Sequence, residues 1–142
     1  MKGHPKAGEP TDFKDKLLSG EKIHTIRGNY LLWQKRIREV QSGNAVVSIR
    51  QWEGKPYRSN QVEIARIDHS SGCGVQLISM GKPNKDEIYW NVDSMRTKER
   101  LDEVAKNDGL SCEDFCRWFF PDRIKKSHFI GAIIHFTPFR YE

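Results

Sequence analysis

The chain of 142 residues has the length of one ordinary domain and is long enough to bury a hydrophobic core. Lys and Arg number 24 against 19 Asp and Glu, a formal net charge of +5, which is compatible with a nucleic-acid partner without requiring one. No apolar run approaches the roughly 20 residues of a membrane span, and the N-terminus lacks the apolar stretch of a signal peptide. We therefore expect a single cytoplasmic domain, residues 1–142, with no membrane association and no evident obligate protein partner.

Two helices are predicted in the first third of the chain. Residues 11–20, TDFKDKLLSG, can begin at Thr11 as the N-cap and end at Gly20. Residues 29–44, NYLLWQKRIREVQSGN, have apolar residues at helical spacing and a turn sequence at the end. The residues expected on the inner face of this second helix are Leu32, Ile37 and Val40.

The middle of the chain and its C-terminal end have the pattern of β-strands. The strand candidates are AVVSIRQW at 45–52, QVEIARID at 61–68, GVQLISM at 74–80, EIYWNVD at 87–93 and HFIGAIIHFTPF at 128–139. The first two flank a plausible hairpin turn, EGKPYRSN.

Two further helices are predicted before the last strand. Residues 97–109, TKERLDEVAKNDG, direct Leu101, Val104 and Ala105 inward, and residues 111–120, SCEDFCRWFF, begin at Ser111 as the N-cap. The elements together predict an α+β domain in which the strands form a curled, mostly antiparallel β-barrel with short helices at its rim.

The three cysteines, Cys73, Cys112 and Cys116, argue against a disulfide framework and for a reducing compartment. Cys112 and Cys116 are four residues apart and would share one face of a helix, which is half of a metal site. No second pair of ligands has a supporting spacing, so we predict no metal.

The stretch GEKIHTIRG, residues 20–28, places a lysine, a threonine and an arginine within six positions. In a continuous strand Lys22 would face away from Thr25, because side chains three residues apart point to opposite sides. Gly20 allows a tight turn just upstream. We therefore predict a helix end, a turn that carries Lys22, and a short strand with Thr25 and Arg27 on one face.

Two interpretations of this stretch stay open. A threonine hydroxyl becomes a nucleophile when a base takes its proton, and Lys22 can be that base if burial or the nearby Arg27 lowers its pKa. Alternatively, Lys22 and Arg27 are solvated charges and Thr25 is simply a strand-forming residue.

The segment FKDKLLSGEKIHTIR, residues 13–27, resembles the opening motif of the ASCH family, whose fold is a PUA-like β-barrel. That motif is a short helix, a glycine, a lysine, two variable residues, a threonine, an apolar residue and an arginine. The matching residues are Gly20, Lys22, Thr25, Ile26 and Arg27. Residues 103–120, followed by the strand at 128–137, resemble the family's C-terminal pair of helices and last strand.

The resemblance implies one of two functions. Some ASCH proteins are amidohydrolases that remove the acyl group of N(4)-acetylcytidine with the motif lysine, the motif threonine and a glutamate, whereas others are presumed RNA-binding modules. Carried over to this chain, the catalytic residues are Lys22, Thr25 and Asp108. Asp108 departs from the pattern, because aspartate is one methylene shorter than glutamate, and the alternative is a plain turn residue before Gly109.

Three more residues are candidates for contacts with a substrate. Arg27 has planar donors that suit a phosphate or a base edge, His24 can hydrogen-bond a base or transfer a proton, and Trp33 or Trp52 can stack on a base. The alternatives are a structural His24 and tryptophans that belong to the core. The helix of Trp33 is additional to the compact amidohydrolases and is expected to alter or cover the cleft.

The expected partner is therefore RNA or a modified nucleoside, and no cofactor is predicted. Lys22, Thr25, Arg27 and the residues named with them would line one cleft. The alternative is a non-catalytic RNA-binding module in which the basic residues contact phosphates.

Overall fold

The protein contains four α-helices, six β-strands and one 3₁₀ turn within the residues that a computed structural model describes, 13–55, 57–84, 87–97, 99–121 and 127–142. In chain order these elements are α1 (Phe13–Leu18), β1 (His24–Arg27), α2 (Tyr30–Gln41), β2 (Val47–Trp52), β3 (Gln61–Ile67), the 3₁₀ turn (His69–Ser71), β4 (Gly74–Gly81), β5 (Tyr89–Val92), α3 (Leu101–Asn107), α4 (Cys112–Phe119) and β6 (His128–His135). The α+β class is confirmed, and the cap predicted at Thr11 lies outside the described residues.

The strands form two antiparallel sheets and do not close into a barrel within the described residues. One sheet has the order β1-β6-β4-β5, and the other is the β2–β3 hairpin. The hairpin strands pair with each other from Val47 opposite Ile67 to Trp52 opposite Gln61, and among the described residues neither strand pairs with the four-stranded sheet. The mostly antiparallel sheet is therefore as expected, whereas a closed barrel is not found in this part of the chain, where β1 and β5 are the edges of the larger sheet.

Strand β6 lies in the interior of the larger sheet and is buried on both faces from Gly131 to His135. Because side chains alternate along a strand, Ile133 and His135 point to one face, while Ala132, Ile134 and Phe136 point to the other. This explains the near-continuous apolar run of the last strand, since a strand covered on both sides needs apolar residues at successive positions.

Helices α3 and α4 cover one face of the sheet. Val104 and Ala105 of α3 and Phe115 and Phe119 of α4 pack with Ile133 in one core cluster. Full burial of one such phenylalanine side chain contributes about 1.5–3 kcal/mol relative to exposure. Helix α4 begins at Ser111 as predicted, because the Ser111 hydroxyl accepts the backbone N–H of Asp114 at 3.1 Å.

Helix α2 covers the opposite face, with a different inner surface from the one predicted. Ile37 and Val40 are buried, and Tyr30 and Trp33 pack beside them, but Leu32 is 37% exposed. Leu32 precedes Ile37 by five residues, which is about 140° away around a helix at 100° per residue. Trp33 precedes Ile37 by four residues and therefore takes the inner position expected for Leu32.

Candidate functional site

The turn between α1 and β1 places Lys22 as the sequence predicted. Gly20 has a φ of 83°, a left-handed conformation that favours glycine, and it directs the chain out of α1. The turn is then held by a hydrogen bond of 2.9 Å from the backbone N–H of Lys22 to the carbonyl of Lys16. Lys22 therefore precedes β1 at the foot of the first helix.

Strand β1 divides its side chains between two environments. Thr25 is half-buried and Arg27 is exposed on one face, while His24 and Ile26 are buried on the other. Opposite Thr25 across the β1–β6 ladder is Ile134. Thr25 and Arg27 thus share the face that α2 and the hairpin approach.

A cleft of about 640 Å³ lies on this face, between α1, α2, the hairpin and the sheet. Lys22, Thr25, Arg27 and Trp33 all line it, so the structure brings together four of the six candidate residues. Its volume falls within the roughly 300–1,000 Å³ of pockets that hold small ligands. Trp52 is not part of the lining and packs instead against Tyr57, with 5.2 Å between ring centroids.

The lining of the cleft combines positive charge with aromatic rings. Among the described residues, the charged side chains of the lining are Lys14, Lys22, Arg27, Arg50 and the acid Asp15, and the aromatic ones are Phe13, Trp33 and Phe136. The Arg36 guanidinium lies 5.0 Å from the ring centre of Trp33, a cation–π contact at the side of the cleft. Proteins that bind single-stranded nucleic acids combine basic groups with aromatic rings on which bases stack, and this concave surface has both.

Lys22 is buried and fully hydrogen-bonded. Its side chain is 8% exposed, and the ammonium donates to the carbonyl of His24 at 2.9 Å, to the carbonyl of Asp108 at 2.7 Å and to Oδ1 of Asp108 at 3.4 Å. These three acceptors account for the three N–H donors of an ammonium. Lys22 therefore joins the turn before β1 to the C-terminal end of α3.

The surroundings of Lys22 act on its pKa in both directions. Burial lowers the pKa of Lys22, the carboxylate of Asp108 opposes that shift, and the charges of Arg27 and Lys16 add to it. The ammonium also lies 4.5 Å from the ring centre of Phe13. The net effect is a lysine that gives up its proton more readily than an exposed lysine does.

Gly109 is the residue that lets the lysine reach Asp108. It has a φ of 83°, and a Cβ at this position would lie 3.2 Å from Cδ of Lys22 and 3.3 Å from the ring of Phe13. A larger residue at position 109 would therefore be strained and would press on the stem of Lys22.

Asp108 is buried rather than solvated, so it is not a plain turn residue. It is the C-cap of α3 and is 6% exposed, and Oδ1 lies 3.3 Å from Nδ1 of His24. It does not line the cleft itself but contacts Lys22, which does. The carboxylate thus acts on the cleft through the lysine.

His24 is completely buried on the sheet face opposite Thr25, which corrects the expectation that it contacts a substrate. Strand alternation is the reason, because position 24 has the parity of Ile26 and not that of Thr25. The Asp108 carboxylate accepts from Nδ1–H, and Nε2 accepts the Tyr141 hydroxyl at 2.7 Å. His24 therefore orients Asp108 from within the core.

The polar network continues from Tyr141 to residues that the sequence analysis missed. Asn107 donates to the Tyr141 hydroxyl at 3.0 Å, and burial raises the pKa of that hydroxyl. His135, opposite His24 in the ladder, donates through Nε2 to Gln76 at 2.9 Å, and Gln76 donates to the Tyr141 carbonyl at 3.0 Å. The two histidines of β1 and β6 could have indicated this cluster, but only if the register in which the two strands pair had been known.

Lys22 and Arg27 also have a structural role at the edge of the sheet. Within the described residues β1 pairs with β6 alone, so the carbonyls of β1 that do not face β6 need other partners. The carbonyl of His24 accepts from Lys22, and the carbonyl of Ile26 accepts from Arg27 at 3.1 Å. The two basic residues of the motif thereby cover the backbone of an edge strand as well as lining the cleft.

The described residues contain no group of His, Cys, Asp and Glu side chains that could hold a metal ion. Burial and the neighbouring Cys112 raise the pKa of the Cys116 thiol to about 11. Across the described ranges, no helix has both the length and the apolar character needed to cross a lipid bilayer.

Comparisons with protein-family models, with curated proteins and with solved structures found no match. The fold and the site by themselves define an α+β protein in which a basic, aromatic-lined cleft lies between a four-stranded antiparallel sheet and a separate hairpin.

Proposed function

We propose that this chain binds single-stranded RNA or a modified nucleoside in the cleft lined by Lys22, Thr25, Arg27 and Trp33. The proposal includes an ASCH-type identity, in which the four-stranded sheet and the hairpin represent an open form of the PUA-like arrangement. Its support is the motif of residues 20–27 together with the position of that motif at the cleft.

One observation carries the proposal: the same concavity holds Lys22, Thr25 and Arg27 of the motif, aromatic rings and a surplus of positive charge. Arginine and lysine neutralise phosphates, and aromatic faces stack on bases without strong sequence preference. Trp33 and Phe13 are the stacking candidates, and Arg27 and Arg50 are the phosphate candidates.

Equilibrium binding tests the proposal. Calorimetric titration with a short RNA, with cytidine and with N(4)-acetylcytidine is expected to show saturable binding of at least one of them. Affinity for the RNA is expected to fall as salt rises, because each phosphate contact releases counterions. Absence of binding to all three ligands at low salt would overturn the proposal.

Amide hydrolysis is a second candidate function, and it has its own supporting observation. Lys22 lines the cleft with Thr25 and contacts Oδ1 of Asp108 at 3.4 Å, and burial lowers its pKa. These are the three residues that the family resemblance assigns to hydrolysis of N(4)-acetylcytidine.

The chemistry would proceed through an acyl-enzyme. The Thr25 hydroxyl attacks the amide carbon of N(4)-acetylcytidine while Lys22, in its neutral form, takes the hydroxyl proton and passes it to the departing amino group of cytidine. Water then attacks the acyl carbon of the Thr25 ester, the bond to the Thr25 oxygen breaks as a proton from the water passes to that oxygen, and acetate leaves. Asp108 holds the lysine in place. The measurement is acetate release from N(4)-acetylcytidine, and no release is expected if the site only binds its ligand.

A further inference from the structure

A second hollow adjoins the cleft, and Arg27 lines both. Its volume is about 310 Å³, at the lower end of the range found for ligand pockets. Its walls include Gly28, Trp118, Pro121 and Phe129. Two separate concavities therefore meet at one exposed guanidinium.

An aromatic surface connects the two concavities. The ring of Phe13, in the wall of the cleft, packs against the ring of Trp118, in the wall of the second hollow, with 6.4 Å between centroids. Phe129 packs against Phe119 at 4.8 Å and extends this surface. Both concavities thus offer rings on which a base can stack.

Arg27 lies between these surfaces and has N–H donors that are not bonded within the described part of the chain. One of its N–H groups is bonded to the carbonyl of Ile26, and a guanidinium has five. It can therefore keep that bond, which fixes the side chain along the edge of β1, and still bind a phosphate. An exposed cation between two aromatic surfaces matches the order base, phosphate, base along a single strand.

We propose that the second hollow is a subsite for the nucleotide next to the one held in the cleft, and that Arg27 binds the phosphate that joins them. The ligand class is then a single-stranded nucleic acid of at least two nucleotides, not a free nucleoside. This inference rests on the proposed binding function and specifies the length of the ligand.

Ligands of increasing length test the second subsite on the unaltered protein. The probes are cytidine, the dinucleotide CpC, and CpC with an uncharged methylphosphonate linkage, each titrated at one salt concentration. CpC is expected to bind at least about fivefold more tightly than cytidine, the lower limit for stacking of one additional base. The methylphosphonate analogue is expected to lose part of that gain, because its linkage carries no charge for Arg27.

A substitution that fills the second hollow gives an independent test. Gly28 has a φ outside the left-handed region, and a Cβ there meets no heavy atom within 4 Å, so Gly28→Leu fits the backbone and projects into open space. It is expected to bring the affinity ratio of CpC to cytidine close to one. Gly54→Leu is the matched control, since Gly54 lines neither concavity, and it is expected to leave the ratio unchanged.

The outcomes separate this inference from the function on which it rests. Equal affinities of the wild-type protein for CpC and cytidine would overturn the second subsite and leave the cleft as a nucleoside site. A Gly28→Leu variant that keeps the wild-type ratio would also overturn it. If neither probe binds, the second subsite and the proposed binding function both fail.

Discussion

The ammonium of Lys22 is bound by both the carbonyl and the carboxylate of Asp108, at 2.7 and 3.4 Å. The two side chains are each 8% exposed, so this is a buried ion pair that links the turn before β1 to the end of α3. Desolvation can cancel the attraction in such a pair, whereas loss of one partner leaves an unpaired buried charge. The contact therefore positions the lysine of the cleft, and its loss would strongly destabilise the fold.

Removal of the Asp108 charge is expected to destabilise the fold. Asp108→Asn should lower the free energy of unfolding by about 3 kcal/mol, the low end of the range for a broken buried pair, because Lys22 keeps two carbonyl acceptors. Denaturant unfolding measures this loss. Addition of Lys22→Met should recover part of it, since the buried charge is then absent.

The control for this prediction is an exposed pair nearby. Arg100 and Asp102 lie 3.5 Å apart and are 82% and 58% exposed. Asp102→Asn should change stability by no more than about 1 kcal/mol, as for other surface pairs. Similar losses for Asp108→Asn and Asp102→Asn would show that the buried pair contributes nothing special.

His135 should make the fold sensitive to acid. Burial, with smaller electrostatic contributions from His24 and Arg140, lowers the pKa of His135 from 6.5 to about 2. Below about pH 6.5 the unfolded chain therefore binds a proton on this residue, while the folded chain does not. Between this pH and the folded-state pKa, the free energy of unfolding falls by up to about 1.4 kcal/mol for each unit by which the pH is lowered.

Two histidine variants test the acid sensitivity. His135→Gln keeps an N–H donor for Gln76 and should flatten the dependence of unfolding free energy on pH between 6.5 and 4.5. The exposed His128 is the control, and His128→Gln should leave the slope unchanged. Equal slopes for both variants and the wild type would contradict the assignment.

Arg27 should account for one phosphate contact. Arg27→Gln is expected to reduce the slope of log affinity against log salt by about one unit for a short RNA. Arg66→Gln removes the same charge from an exposed arginine that is paired with Glu63 and lies outside the cleft. The same reduction in both variants would mean that only net charge matters.

Trp33 should stack on a base. Trp33→Leu keeps apolar contact with α2 and the sheet but removes the indole, and affinity should fall by about 1–3 kcal/mol. Trp52→Leu, at the hairpin and outside the lining, should leave affinity at the wild-type value. Titration of both variants with one oligonucleotide compares them directly, and an equal loss would refute a specific role for Trp33.

Thr25 should separate hydrolysis from binding. If the chain releases acetate from N(4)-acetylcytidine, Thr25→Val should abolish release, because it keeps the shape and removes the nucleophile. Thr25→Ser retains a hydroxyl and should preserve measurable release. Activity that survives in Thr25→Val would exclude threonine as the nucleophile, and a wild-type protein without acetate release would leave binding as the function of the cleft.

The sequence predicted those features that depend on neighbouring residues. The turn at Gly20 and the alternation along 24–27 are local, and they were sufficient to place Thr25 and Arg27 on one face with Lys22 nearby. The inner faces of α3 and α4 and the hairpin followed from the same periodicities. Leu32 was wrongly assigned to the inner face of α2, because the residue at helical spacing from Ile37 is Trp33.

Contacts between residues distant in sequence were decided only by the tertiary structure. Among the described residues, β2 and β3 pair only with each other. No local sequence pattern specifies which strand edges pair, so the sequence could not show whether the strands close into a barrel. The sequence left Asp108 open as either a catalytic carboxylate or a turn residue, and only the packing of α3 sets it against Lys22 and His24. The second hollow likewise depends on the whole fold, because its lining joins Gly28, which follows β1, to Trp118 of α4. Side-chain periodicity is a property of the local backbone, whereas burial and pairing depend on the whole fold.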